Sequence, residues 1–163
     1  QSAKTQTATA YFAGGCFWHV QKDFDEFKNG KGVLETTVGY MGGHVPHPSY
    51  KEVCQGQTGH YEAIQVVYDP NILSFEQLIH FFWDHIDPED PHGQFEDKGH
   101  QYKTVIFYNN EQEQRIAEQN KQALINSGKY TQVATQILPV APFYPAEAYH
   151  QLYYINHPVC RTF

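Results

Sequence analysis

Apolar positions along the chain switch between two periods, and the switches mark the elements. Residues 9–12 are short, β-branched and aromatic and run into Gly14-Gly15, which predicts a strand ending in a sharp turn. From Cys16 the period changes. Phe17, Val20, Phe24 and Phe27 fall at helical spacing until Asn29-Gly30 and Gly32 stop the run. Residues 33–40 alternate and predict a second strand, whereas 42–60 are rich in Gly, Pro, His and polar side chains and read mostly as loop. Residues 61–68 alternate cleanly and close on Asp69-Pro70, a third strand. Ser74 is a good N-cap for a helix over 75–85, with Glu76 and Gln77 in its first turn. Residues 87–101, punctuated by Pro88, Pro91, Gly93 and Gly99, read as a second long loop. A strand over 102–108 follows, then a polar-faced helix over 110–127 with Ile116, Leu124 and Ile125 toward the core and Gly128 as its stop. A last strand is predicted over 131–139, and 140–163 reads as an irregular aromatic tail.

This order, β-α-β-loop-β-α-loop-β-α-β, predicts an α/β (α+β) fold, a two-layer sandwich of helices on a mixed β-sheet with long loops and an irregular C-terminal tail. No linker, repeat or low-complexity tract divides the chain, so 1–163 reads as one domain, with 1–8 as a polar extension. Loops as long as these inside a compact domain are usually functional.

Composition narrows the class. Hydrophobic content of 40% against 18% charged residues excludes intrinsic disorder. A net charge of −7 speaks against a nucleic-acid partner, because no basic face can track phosphates. No run of about 18 apolar residues is present, so no membrane span is expected. The polar start Gln1-Ser2-Ala3-Lys4 lacks a Met; a cytoplasmic location is the default, and an exported one follows if a signal peptide has been removed. Nothing in the pattern argues for an oligomer, and a monomer is expected. The 3 cysteines are too few, and odd in number, for a disulfide scaffold.

Cys16 follows a strand and two glycines and opens a helix. Placed there, its sulfur meets unpaired N–H groups and the positive end of the helix dipole, which predicts a lowered thiol pKa. Phe17 and Trp18 point about 100° apart on a helix, so at least one aromatic ring is expected exposed beside the sulfur.

Gly14-Gly15-Cys16-Phe17-Trp18 resembles the GCFW signature of the A-type peptide methionine sulfoxide reductases. Val38-Gly39-Tyr40-Met41-Gly42-Gly43 is similar to that family's GYxGG segment. Tyr50-Lys51-Glu52-Val53-Cys54, Gly56-Gln57-Thr58-Gly59-His60 and Glu62-Ala63-Ile64-Gln65-Val66 resemble its next stretch. Asp87-Pro88, Gly93-Gln94, Asp97, Gly99 and Gln101-Tyr102 resemble a later loop, and the match runs in order over residues 11–156. Tyr61, Phe95-Glu96 and His47-Pro48-Ser49 depart from the pattern.

The resemblance implies reduction of methionine S-sulfoxide, in proteins, peptides or as the free amino acid, by thiol chemistry without a bound cofactor. It implies Cys16 as nucleophile, Glu62 as acid, and Tyr40 and Tyr102 as hydroxyl donors to the sulfoxide oxygen. Asp97 is implied near the pocket, with Phe17 and Trp18 as an apolar seat for the S-methyl group. Cys160 is implied as the resolving thiol, giving a Cys16–Cys160 disulfide that thioredoxin or a similar dithiol reduces. Cys54 reads as a bystander, and a Cys16–Cys54 bridge stays open. Rival readings from the residues are a Cys/His hydrolase, with His60 or His150 as base, and a module binding apolar peptides. No HExxH or CxxC spacing is present among the 10 His and 3 Cys, so no metal site is expected.

Overall fold

A computed structural model describes residues 7–28, 30–94 and 97–153. Its larger elements are β1 (Ala8–Gly14), α1 (Phe17–Asp25), β2 (Val33–Met41), α2 (Tyr50–Cys54), β3 (Tyr61–Tyr68) and α3 (Phe75–His85). A short β4 (Gly93–Gln94) and β5 (Asp97–Lys98) pair as a hairpin, followed by β6 (Thr104–Tyr108), α4 (Glu111–Asn126), β7 (Gln136–Pro139) and β8 (Tyr144–Pro145). Six strands form a mixed sheet in the order β7-β6-β1-β3-β2-β8, antiparallel throughout except for the parallel β6–β7 edge.

Side chains alternate across this sheet because successive Cβ atoms in a strand point to opposite faces. On one face Ala10, Phe12, Val38, Tyr40, Ile64, Val66 and Ile106 meet Phe17, Val20 and Phe24 of α1 and Leu78, Ile79 and Phe82 of α3. On the other, Ala13, Tyr61, Ala63, Val105 and Phe107 are covered by Leu138, Val140, Ala141 and Phe143. Glu62 stands two residues before Ile64, so the pleat turns it toward the helix layer. Tyr61, a departure from the family pattern, faces the opposite side and stacks on His100 at 4.5 Å.

The structure corrects several predicted bounds. The segment 42–60 contains α2, opened by a capping box in which Ser49 accepts from Glu52 N and Glu52 accepts from Ser49 N. Tyr102 lies in a 3₁₀ turn, His100–Tyr102, and the strand starts at Thr104. Only residues 136–139 of the predicted last strand pair, because they are the part alongside β6. On α4 the inward positions are Ala117 and Asn120, with Ile116 and Leu124 half-buried, while Ile125 is exposed. Asn120 is held by Glu76 at 3.0 Å and His80 at 2.7 Å, a polar contact between α3 and α4.

The described part of the tail is irregular as expected apart from β8 and one 3₁₀ turn, and it is hydrogen-bonded to the sheet and α1. β8 lies along β2, with Ala146 N donating to Val38 O at 2.9 Å. Gln151 accepts from Val38 N at 2.9 Å and donates to Val38 O at 2.8 Å, and Leu152 N donates to Gln21 Oε1 at 2.7 Å. Among the described residues no helix is long and apolar enough to cross a membrane.

Candidate active site

The turn between β1 and α1 places the nucleophile candidate. Gly15 has φ +90°, and a Cβ there would stand 2.7 Å from Cβ of Gln94, so both backbone and space demand glycine. Gln94 is itself fixed: its Oε1 accepts from Asp87 N at 2.7 Å and its Nε2 donates to Asp87 O at 2.7 Å. Cys16 is then the N-cap of α1, and its side chain makes no cap hydrogen bond.

The sulfur is buried, and burial pushes the thiol up to about 12, reinforced by the charge of Glu62. The N–H groups of Trp18 and His19 at the helix start act in the opposite direction, as predicted for that position. They lose, and the predicted lowering is corrected: desolvation of a thiolate outweighs two N–H groups here.

Glu62 is 1% exposed. Its Oε1 accepts from Phe17 N, the first free amide of α1, at 3.2 Å, and its Oε2 is buried without a partner. Burial raises its carboxyl to about 8, against the lowering by the Phe17 amide and with help from the charge of Asp97. At neutral pH the group is therefore chiefly a neutral acid and a hydrogen-bond donor.

The tyrosines differ from prediction. Tyr40 pairs with Glu62 across β2–β3, but its side chain is fully buried and its hydroxyl donates to Glu147 Oε1 at 2.9 Å. Tyr50 stands in the place expected of Tyr40. Burial, then the charges of Glu62 and Tyr102, raise its hydroxyl, with Cys54 adding to it. Burial, then Glu62, raise Tyr102 in the same way, with Cys54, Asp97 and Cys16 adding to it. Tyr40, Tyr50, Tyr102, Glu62, Asp97 and Cys16 thus form one electrostatic group, in which the Tyr40 hydroxyl is committed to Glu147. Glu147 holds Tyr40 and Tyr50 together, because its Oε2 accepts from Tyr50 N at 3.0 Å. Burial pulls the Glu147 carboxyl up, but the Tyr50 amide and the Tyr40 hydroxyl outweigh it and leave it below its ordinary value.

Aromatic rings floor the group. Phe17 is fully buried beneath Tyr40, Tyr50 and His150, so it supports the seat rather than presenting an exposed ring. Trp18 is half-buried, stacked on Tyr153 with centroids 4.0 Å apart. Its indole N–H donates to His150 Nδ1 at 3.0 Å, and burial lowers the His150 pKa. His150 is therefore a neutral ring committed to Trp18. His60 has both nitrogens engaged, with Gly43 N at 3.1 Å and Val45 O at 2.7 Å. Neither histidine is placed to serve Cys16 as a base, so the hydrolase reading with His60 or His150 finds no geometry here.

His19 and Asp97 do reach the sulfur. One donor atom of each lies within 4.8 Å of Cys16 Sγ and of the other. Cys16 and Cys54 are free thiols, and Cys54 is exposed. Cys160 lies outside the described residues, so the predicted Cys16–Cys160 pairing does too.

A family model described as peptide methionine sulfoxide reductase matches residues 8–162. The chain belongs to the peptide methionine sulfoxide reductase family. Peptide methionine sulfoxide reductase MsrA of Bacillus licheniformis is 48% identical over 150 residues, 91% of this chain and 81% of that protein. Mxr1 from Saccharomyces cerevisiae in reduced form superposes with TM-score 0.86 at 30% identity, covering 99% of this chain and 92% of that one. Methionine sulfoxide reductase A of Corynebacterium diphtheriae gives TM-score 0.83 at 33% identity, over 98% of this chain and 79% of that one. The family makes the chain an oxidoreductase and confirms the mixed α/β fold. Sequence reading missed Tyr50, Glu147 and His19 as members of the site. Tyr50 was signalled by Ser49-x-x-Glu52, a helix start that puts it on a fixed element. Glu147 carried no signal, since its partners are brought to it by the fold.

Proposed function

We propose that this pocket performs the reaction of its family, reduction of methionine S-sulfoxide to methionine, with Cys16 as nucleophile and Glu62 as acid. The buried, protonated carboxyl of Glu62 on the first amide of the Cys16 helix carries the reading. The Cys16 sulfur attacks the sulfoxide sulfur while Glu62 gives its proton to the oxygen. The proton leaving the thiol restores Glu62; the protonated oxygen leaves the methionine sulfur and bonds to the Cys16 sulfur as the transient bond between the two sulfurs breaks, giving methionine and a Cys16 sulfenic acid. Tyr50 and Tyr102 supply hydroxyl donors to the oxygen. Trp18, Tyr50 and the underlying Phe17 seat the S-methyl group, a contact worth about 0.3–1.5 kcal/mol. A thiol whose pKa is raised by burial stays protonated until the oxygen takes up a proton, which limits wasteful oxidation.

The sulfenic acid must be reduced. We assign Cys160 as the thiol that attacks it, releasing water and forming the Cys16–Cys160 disulfide, which thioredoxin or a similar dithiol then opens. This role rests on family resemblance and on the presence of a thiol in the tail.

The test is a pair of variants. Cys16→Ser abolishes methionine formation with the fold intact. Cys160→Ser still releases about one methionine per chain in a single turnover but fails to cycle with thioredoxin. Normal cycling of Cys160→Ser overturns the resolving role, and methionine formation by Cys16→Ser overturns the reading as a whole.

A further inference from the structure

We propose that the reduced pocket is also a metal site, in which Cys16, His19 and Asp97 hold one zinc-class divalent cation and so block the nucleophile. The blocking half rests on Cys16 being the nucleophile; the binding half does not.

Three observations carry it. Cys16 and His19 are three apart at the start of α1, so one helix turn aims both side chains the same way. Asp97 arrives from β5 on the opposite wall, and the sulfur, an imidazole nitrogen and a carboxylate oxygen all lie within 4.8 Å of one another. Bonds of about 2.0–2.3 Å in a tetrahedral zinc site put ligands about 3.5 Å apart, so closing on a cation requires side-chain movement of roughly an ångström. The sulfur is buried while His19 and Asp97 are half-buried, which leaves the cation a way in.

The donor set selects the metal. A thiolate and an imidazole with one carboxylate suit Zn2+ and disfavour Mg2+ and Ca2+, which take oxygen ligands. Two negative ligands match the charge of the cation. Three protein ligands leave a fourth position for water. Nearby, Glu62 has a buried Oε2 with no hydrogen-bond partner, close enough for its charge to act on Cys16. Binding replaces the thiol proton by the metal. The thiolate ligand exists only in the reduced enzyme, so occupation is confined to that state, and a metal-capped sulfur cannot attack a sulfoxide.

The test uses the full chain carrying Cys54→Ser and Cys160→Ser, so that Cys16 is its one thiol. Reduced protein titrated with Co2+ should take one ion, with thiolate-to-cobalt absorption in the near ultraviolet and tetrahedral bands in the visible, and Zn2+ should displace it. Adding His19→Gln should weaken Co2+ binding at least about tenfold, the loss that even an outer partner of a ligand causes. Single-turnover methionine formation is read for each chain relative to that chain's own rate with a chelator present. Without it, Zn2+ should inhibit the parent more than the His19→Gln chain. Absence of the thiolate band, or equal Co2+ affinity in the two chains, overturns the proposal. The band is read without any sulfoxide, so its failure is separate from failure of the reductase reading.

Discussion

Glu62 is a carboxyl at the start of a strand whose same-face neighbours, Ile64 and Val66, are apolar, and the helix amide above it satisfies one oxygen only. Leaving it charged there is costly, and its pKa rises to about 8. In the unfolded chain the group titrates near the ordinary value of 4.5. Below that pH both states hold the proton. As pH rises from 4.5 toward 8, the unfolded chain releases its proton while the folded one keeps it, so this group's contribution to stability is lost across that window. Glu62→Gln removes the penalty and should stabilise the fold at neutral pH by roughly 3 kcal/mol, seen as a higher melting temperature. The same variant should lose most of its methionine-forming rate, on the order of 10²-fold or more. A melt that does not rise would contradict the burial of an unpaired carboxyl oxygen. For the parent enzyme, kcat/KM should fall as pH rises through about 8, because the acid form of Glu62 is consumed. That limb should vanish in Glu62→Gln. Cys16 was legible as the nucleophile candidate from its place after Gly14-Gly15. The direction of its pKa was not, because desolvation comes from side chains distant in the chain.

Among the elements, the longer strands and helices announced themselves by period. α2, β4, β5 and β8 did not, since a two-residue strand or a single helical turn is too short to show one. α2 had a different signature, the reciprocal capping of Ser49 and Glu52, and its first residue is the pocket's Tyr50. Ser49→Ala should cost about 1 kcal/mol of stability, measured by denaturant unfolding. It should raise KM more than it lowers kcat, because Tyr50 loses its fixed seat against Trp18 and Phe17. An unchanged KM would detach α2 from substrate binding. The strand predicted over 131–139 was over-read for a related reason: a strand ends where its partner ends, and β6 offers only residues 105–108.

Across the whole molecule, the segment 144–152 decides whether the pocket keeps its shape. Its Glu147 links Tyr40 of β2 to the first amide of α2, while Gln151 and Leu152 tie it to β2 and α1. Glu147→Ala leaves the buried Tyr40 hydroxyl unpaired and should destabilise the chain by about 1–3 kcal/mol. It should also speed amide hydrogen exchange in α2, which a purely local effect at Tyr40 would not do. By itself the sequence determined the mixed α/β fold, the nucleophile candidate on a glycine turn, and the family, because these depend on local period, turn chemistry and contiguous motifs. Tertiary structure alone decided which tyrosine faces Glu62, which way burial moves Cys16, and that His19 and Asp97 stand beside the same sulfur. Those facts depend on strand register and on side chains up to 107 residues apart in the chain, as for Tyr40 and Glu147, and no local pattern encodes such distances.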